Sequence, residues 1–302
     1  MSPADIMTVD NSQLAAAGPA QRRRRNPVTL WLLIPGIIGL GVSFAAPLIW
    51  VVRMSLNRDG GAGLIIETLS VETYVKVLTN SFTWQITLNT LKLGITVTVI
   101  TLVLAYPIGL FLTRTTSRFR GLLLALAVAP LLTSQVVRTY GWLVLLGNNG
   151  MVNQSLQSLG IIGSPLRLAN GYTGVVIALI EILMPYAILV MVSGFGATSV
   201  DLEQAAASLG ANRFKTFWRI TLPLSLPGVF TAGLLVFVLT ISSFVTPQLV
   251  GGGRVFVLAT EIYNEAKQTL NWPGASALSI ILLVLFSIVI AIYLRVARRF
   301  EL

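Results

Sequence analysis

Six apolar segments in this 302-residue chain are each long enough to cross a lipid bilayer, which takes roughly 20 helical residues. Apolar residues make up 55% of the chain and charged residues only 11%, so a water-soluble fold could not bury the apolar surface. No segment alternates with a period of two over ten residues, which excludes a membrane β-barrel. The sequence therefore predicts an all-α membrane protein with six transmembrane helices, at about 29–52, 86–112, 121–146, 173–196, 228–250 and 277–297.

The distribution of basic residues predicts the orientation of these helices. If the N-terminus is inside, the inner segments hold thirteen Lys and Arg residues and the outer segments hold six. This imbalance follows the positive-inside rule and places both termini in the cytoplasm. Residues 1–27, which include the basic run at 22–25, are predicted to form a disordered cytoplasmic tail that contacts anionic lipid, while residues 28–302 form the membrane domain.

The composition excludes several kinds of chemistry. The chain has no histidine and no cysteine, so imidazole and thiolate metal sites and most nucleophile–base pairs are unavailable. The sequence lacks a phosphate-binding loop of the GxxxxGK[ST] type, and no aromatic residues interleave with the arginines of the tail. We therefore expect no catalytic residues, no metal and no cofactor on this chain, and no nucleic-acid partner.

One predicted cytoplasmic loop, Thr198–Pro227, is amphipathic and too charged to cross the membrane. Ser199 or Asp201 can cap a first short helix, and Gly210 is its natural end, with the positive φ that glycine allows. Asn212 or its neighbour Arg213 can begin a second short helix. The loop is thus predicted to form two short helices joined by a tight turn.

Aromatic and proline residues follow in the second half of this loop. Phe214, Phe217 and Trp218 are three and four residues apart, so they share one face of the second helix. Pro223 and Pro227 are expected to break the helix before the fifth span begins. The simplest alternative is an interfacial helix that packs only against its own bundle.

The same loop resembles the EAA loop in the membrane subunits of binding-protein-dependent ABC importers. The family pattern is E-A-A, three residues, Gly, nine residues, then I-x-L-P. The matching residues here are Gln204, Ala205, Ala206, Gly210, Ile220, Leu222 and Pro223. Gln204 stands where the family usually has Glu, but it keeps a similar length and can still form hydrogen bonds.

The resemblance implies that this loop is a coupling helix that docks on a separate ATP-hydrolysing subunit, where ATP and Mg²⁺ bind. The residues that it would bring to this contact are Glu203, Gln204, Ala205, Ala206, Gly210, Ala211 and Phe214. By the same resemblance, the chain has the type I ABC importer permease fold, lies in a bacterial inner membrane, and works with a second similar membrane subunit, a dimer of the ATPase subunit and a periplasmic solute-binding protein.

Three further stretches, which start at Ala129, Ser242 and Asn271, are similar to permeases of the spermidine/putrescine type. This likeness implies that the substrate is a polyamine or a related cationic amine. Other small solutes remain open, namely amino-acid-like, phosphonate or metal compounds, because related permeases serve these as well. A self-sufficient secondary transporter would need a relay of carboxylates within the membrane, and only Glu181 is available for one.

Glu181 lies near the middle of the fourth predicted span, where a charge is costly and usually functional. Pro185 follows it and is expected to break the helix locally. A carboxylate beside a broken helix would suit a cationic amine, because transporters hold substrates at such places. The alternative is that Glu181 forms an internal ion pair with Lys92 or Arg138.

Other polar residues in the spans supply the remaining candidates. Tyr186, Ser243 and Gln248 are predicted to line the translocation path together with Glu181. Arg138, Tyr140 and Trp142 lie toward the outer leaflet, where they either anchor the helix in the interface or form a periplasmic gate.

Overall fold

The computed structural model describes residues 27–195 and 200–297 and divides the chain into two compact units, residues up to Trp50 and residues from Val51 onward. The described part is predominantly helical. Its helices are α1 Pro27–Ser55, α2 Glu72–Thr79, α3 Ser81–Arg114, α4 Arg120–Val128, α5 Gln135–Leu145, α6 Met151–Ser158, α7 Tyr172–Phe195, α8 Val200–Ser208, α9 Arg213–Thr216, α10 Leu222–Ser242, α11 Val245–Val250, α12 Leu258–Lys267 and α13 Trp272–Ala297. A 3₁₀ turn covers Ala129–Leu132, and a π-helical turn covers Phe217–Thr221. Strands β1 Arg58–Asp59 and β2 Ile65–Ile66 pair in antiparallel register.

Five helices in the described residues are long and apolar enough to cross a membrane. A sixth span is present if α4 with its 3₁₀ turn and α5 are counted together, although the two halves meet at 93°. This agrees with the predicted fold class, and the third span is broken at Thr133 and Ser134, after the 3₁₀ turn that contains Pro130. The predicted tail lies outside the described residues except for Pro27, where α1 begins.

The predicted break before the fifth span is wrong, and the predicted interruption at Pro185 removes a hydrogen bond but leaves α7 continuous. The helix from Arg213 continues through the π-helical turn and past Pro223 and Pro227 to Ser242, and α7 continues past Pro185. Pro223 lies just after the π-helical turn, where the helical hydrogen-bond pattern already changes. The other two prolines are inside the helices, where neighbouring helices can accommodate the lost bond.

The fifth span ends earlier than predicted, at Ser242 instead of residue 250. Ser243 is extended, with φ −72° and ψ 125°, and a separate helix, α11, starts at Val245. Pro247 gives the reason, because its ring would clash with the carbonyl four residues earlier, at Ser243, if the helix continued.

The core of the second unit lies between α3, α7 and α10. Fully buried aliphatic side chains from each helix fill it, among them Val97, Leu179 and Val236. Glycines bring the backbones close, because a Cβ atom on Gly194 would lie 2.7 Å from the Cα atom of Gly228 on the facing helix. Such small-residue contacts are a usual means of packing helices in membranes, where the hydrophobic effect does not drive their association.

This close approach predicts that Gly194→Ala destabilises the protein. The added methyl group must push α7 away from α10, and overpacking of this kind costs about 1–3 kcal/mol. We expect the thermal unfolding midpoint in detergent to fall. Gly121→Ala is the control, because no atom lies within 4 Å of its added Cβ. Equal midpoints for the two variants would contradict the helix contact.

Candidate functional site

The predicted coupling loop folds as a helical hairpin, α8 and α9, which we call the cytoplasmic hairpin after its predicted location. Gly210 has φ +81°, which confirms the predicted turn. The amide of Gly210 donates to the carbonyl of Ala207 at 3.0 Å, and that of Ala211 donates to the carbonyl of Ala206 at 3.0 Å. These two bonds form a Schellman motif, which satisfies the last carbonyls of α8. No atom lies within 4 Å of a Cβ placed on Gly210, so crowding does not require a glycine here. The requirement comes from the positive φ.

The start of the second hairpin helix is also as predicted. The side chain of Asn212 accepts a hydrogen bond from the amide of Lys215 at 2.8 Å and so caps α9. Of the two candidate caps of the first helix, Ser199 lies outside the described residues, and Asp201 lies inside the first turn of α8 and so does not cap it. The aromatic pair Phe214 and Trp218 is in edge contact, with ring centroids 6.2 Å apart.

Glu203 fastens the cytoplasmic hairpin to the membrane helices. Its carboxylate forms an ion pair with Arg114 at the end of α3 and accepts a hydrogen bond from the hydroxyl of Thr221 in the π-helical turn. The hydrogen bond from Arg114 lowers the pKa of the Glu203 carboxyl, against the opposing effect of partial burial, so the group stays ionised at neutral pH. Gln204, the residue at the family's Glu position, is exposed.

The two alanines of the motif have different surroundings. Ala206 is 8% exposed and packs against its own chain, whereas Ala205 is exposed. The small size of Ala206 is therefore required by the fold of this chain itself. Ala211 lines a cavity of about 320 Å³ together with Arg114 and Glu203, underneath the hairpin.

Exposed apolar side chains cover the outer side of the cytoplasmic hairpin. Leu209 is 89% exposed and Phe214 is 73% exposed, and Leu202 and Trp218 are also exposed. Sequence reasoning had named only Phe214 as a contact. A signal for the two leucines was present, because Leu202 and Leu209 are seven residues apart, the spacing that places them on one side of a helix.

Within the membrane segments, the predicted path and gate residues meet at Glu181. The Nη1 atom of Arg138 lies 3.3 Å from Oε1 of Glu181, and the indole Nε1 of Trp142 donates to Oε2 at 3.1 Å. The internal pair with Arg138, which the sequence left open, is therefore formed. Lys92 lies instead over the ring of Tyr172, 5.4 Å from its centroid.

A cavity of about 300 Å³ lies beside this ion pair. Arg138, Tyr186 and Ser243 line it, along with the polar side chains of Thr133 and Gln135. Two predicted path residues, Tyr186 and Ser243, thus lie close together. Gln248 and Tyr140 do not line this cavity, and Tyr140 is exposed.

A second, larger and more open cavity of about 690 Å³ borders the other member of the pair, Glu181, and has exposed side chains such as Leu126 in its lining. Glu181 and Trp142 line it among aliphatic side chains of α3, α4 and α7. Its wall includes Pro185, which has no N–H and so leaves the carbonyl of Glu181 without its usual helical donor. The two cavities therefore have different chemistry, one polar and one apolar.

The chain is similar to one protein family and to several individual proteins of known function. Residues 28–302 match the model of the family described as binding-protein-dependent transport system inner membrane component. The chain is 34% identical over 265 residues to the spermidine/putrescine transport system permease protein PotB of Haemophilus influenzae, with 88% of each chain covered. It is 29% identical to the PotB protein of Escherichia coli strain K12 over 271 residues, 90% of this chain and 94% of that protein.

Solved structures with a similar fold also exist. The chain is similar, with a TM-score of 0.74 and 18% identity, to a bacterial ABC transporter involved in the import of the acidic polysaccharide alginate, over 91% of this chain and 96% of that chain. A second structure, of a bacterial alginate ABC transporter in complex with an alginate pentasaccharide-bound periplasmic protein, gives a TM-score of 0.75 at 17% identity, over 91% and 95% of the two chains. At this level of identity the likeness concerns the fold.

The hairpin geometry predicts different outcomes for two substitutions at the same position. Gly210→Val puts a β-branched residue at a positive φ and costs at least about 1–2 kcal/mol, whereas Gly210→Asn is tolerated because asparagine adopts this conformation readily. We expect trypsin to cleave the valine variant at Arg213 and Lys215 about tenfold faster, since local opening becomes more frequent. Equal cleavage of the two variants would show that the turn does not depend on Gly210.

Proposed function

We propose that this chain, which belongs to the family of binding-protein-dependent transport system inner membrane components, forms half of the translocation path of an importer for polyamines or related cationic amines. The chain is a multi-pass inner-membrane permease and a transport subunit, and in this family ATP hydrolysis belongs to a separate subunit. The observation that carries the proposal is the cytoplasmic hairpin, whose Gly210 turn has the geometry that the motif requires.

The substrate class rests on two arguments. Relatives that cover nearly the whole chain are named as spermidine/putrescine permeases. In addition, Glu181 is the one carboxylate in the six candidate spans of the described residues, and the spans therefore offer an acceptor for a cation. An amino-acid-like, phosphonate or metal compound is the alternative substrate. The deciding measurement is the uptake of labelled spermidine by vesicles that contain the complete importer, which the polyamine assignment requires.

The cytoplasmic hairpin is the proposed contact with the ATPase dimer. Leu209, in the turn after α8, and Phe214 on α9 present apolar surface to the outside, and exposed apolar groups of this kind support a protein interface. Glu203 turns inward to Arg114 and holds the hairpin in position, which leaves Gln204 and Ala205 on the outer side. A second similar membrane subunit and a periplasmic solute-binding protein would complete the assembly.

The proposed orientation has both termini in the cytoplasm, supported by the excess of basic residues in the inner segments. A cysteine introduced at Asn149 should react with an impermeant thiol reagent added to spheroplasts, and one at Lys215 should not. Both positions are exposed in the structure, and the chain has no cysteine of its own that would give a background signal. The reverse labelling pattern would overturn the orientation and the ATPase contact together.

The proposed interface predicts that Leu209→Ser weakens retention of the ATPase subunit. Burial of a leucine side chain contributes about 1.5–3 kcal/mol, so affinity should fall at least about tenfold. Because Leu209 is almost fully exposed, the substitution should leave the fold of the permease intact. The measurement is co-purification of the ATPase, together with ATP-driven uptake in vesicles.

Leu159→Ser is the matched control for this experiment. Leu159 is 71% exposed and follows α6, in a segment on the opposite side of the membrane in the proposed orientation. The control variant should keep both the ATPase and transport. Unchanged ATPase retention in the Leu209 variant would exclude the outer side of the hairpin as the interface.

A further inference from the structure

The ion pair between Arg138 and Glu181 neutralises the carboxylate that a cationic substrate would need. Both carboxylate oxygens already have partners, since Oε1 contacts Arg138 and Oε2 accepts from Trp142. An amine that reached this point would therefore find Glu181 occupied by a cation of the protein itself. Any role for Glu181 in transport requires Arg138 to move.

The pairing of Arg138 is incomplete, which makes such a movement feasible. The guanidinium contacts Glu181 through the single atom Nη1 at 3.3 Å, not through the two parallel bonds that an arginine and a carboxylate can form. Its Nε atom is buried and has no hydrogen-bond partner. A buried donor without a partner loses the hydrogen bond that water would provide, so the arrangement is not the best one available to Arg138.

The polar cavity offers a place for the released guanidinium. Arg138 lines this cavity together with Ser243, whose Oγ atom is also buried without a hydrogen-bond partner. A serine hydroxyl can accept a hydrogen bond from an arginine donor. Gln135 and Tyr186, which line the same cavity, supply further acceptor oxygens.

The position of the pair links the two cavities. Arg138 belongs to the wall of the polar cavity, whereas Glu181 and Trp142 belong to the wall of the apolar one. The ion pair thus joins the wall of a polar space of about 300 Å³ to the wall of an apolar space of about 690 Å³, and we refer to it as the partition between them. Separation of the pair would connect the polar groups of one cavity with the carboxylate of the other.

We propose that Glu181 is an exchange site, at which an ammonium group of the permeating amine replaces the guanidinium of Arg138 and thereby opens the partition between the two cavities. This inference rests on the proposed function, because it needs an amine in the path. No bond is made or broken, and one cation takes the place of another, so the carboxylate is never left without a counter-charge.

The exchange distinguishes amines from other solutes. An anionic solute would compete with Glu181 for Arg138 and would leave the carboxylate unpaired, which is costly at this depth. A neutral solute offers no charge to replace the guanidinium. The carbonyl of Glu181, which has lost its helical donor to Pro185, is an additional acceptor for an ammonium group.

A double-mutant cycle tests this proposal in vesicles that contain the complete importer, with spermidine as the probe. Glu181→Gln should reduce uptake at least about tenfold, and the double variant Arg138→Gln/Glu181→Gln should be equally impaired, because neither retains the carboxylate. If the ion pair only stabilises the fold, the double variant should instead recover uptake, since neither charge is left without its partner. Recovery would overturn the proposal.

Direct binding gives a second, independent measurement. Arg138→Gln removes the competing cation, so spermidine should bind the importer without its solute-binding protein about tenfold more tightly than the wild type does. Lys92→Gln is the control, since this span cation lies over Tyr172, apart from Glu181, and its removal should change neither binding nor uptake. Weaker or unchanged binding in the Arg138 variant would contradict the exchange.

The same assays separate this inference from the proposed function. If the wild type takes up spermidine and Glu181→Gln does so equally well, the importer assignment stands and the exchange is wrong. If the wild type takes up no amine, both the substrate class and the exchange are wrong. If an anionic solute is carried and its uptake depends on Arg138, the polarity of the site is the reverse of that proposed.

Discussion

The structure depends on the requirement that backbone polar groups in a membrane find their hydrogen-bond partners within the protein. Each proline inside a helix conflicts with this requirement, because it lacks the N–H that would bond the carbonyl four residues earlier. Pro185 and Pro227 lie inside α7 and α10, and these two helices pack closely against each other and against α3, so they remain continuous. Near Pro130 and Pro247 the chain instead leaves the helix and starts again, with Thr133 and Ser134 extended after the first proline and Ser243 extended before the second. Whether the helix continues or stops near each proline thus determines where cavities and polar side chains occur.

The carboxylates of Glu181, within a span, and Glu203, in the hairpin, follow a similar rule. Glu181 is neutralised by Arg138 between α5 and α7, and Glu203 by Arg114 between the hairpin and the end of α3. Each pair joins two elements that are far apart in sequence. The first pair has an unused donor, whereas the second is reinforced by Thr221. The first is therefore suited to exchange and the second to fixing a position.

Local signals in the sequence were sufficient for much of this arrangement. Length and hydropathy predicted the spans, and the spacing around Gly210 predicted the hairpin, because a positive φ and a capping asparagine are properties of a few adjacent residues. The burial of Ala206 and the partner of Glu203 could not be predicted, since both depend on α3 and the π-helical turn folding back on the hairpin. The effect of each proline also depended on its neighbours, which propensity alone does not include.

The continuity of the helix from Arg213 to Ser242 has a mechanical consequence. Its 30 residues span about 45 Å at about 1.5 Å per residue, from the exposed Phe214 to the residue next to Ser243 in the wall of the polar cavity. Breaks at Pro223 and Pro227, which the sequence had suggested, would have separated the hairpin from this helix. Since the helix is continuous instead, it connects the hairpin directly to the cavity wall. The π-helical turn Phe217–Thr221 lies between them, and its Thr221 is held by Glu203, so the ion pair with Arg114 sets the angle at which the hairpin joins that element.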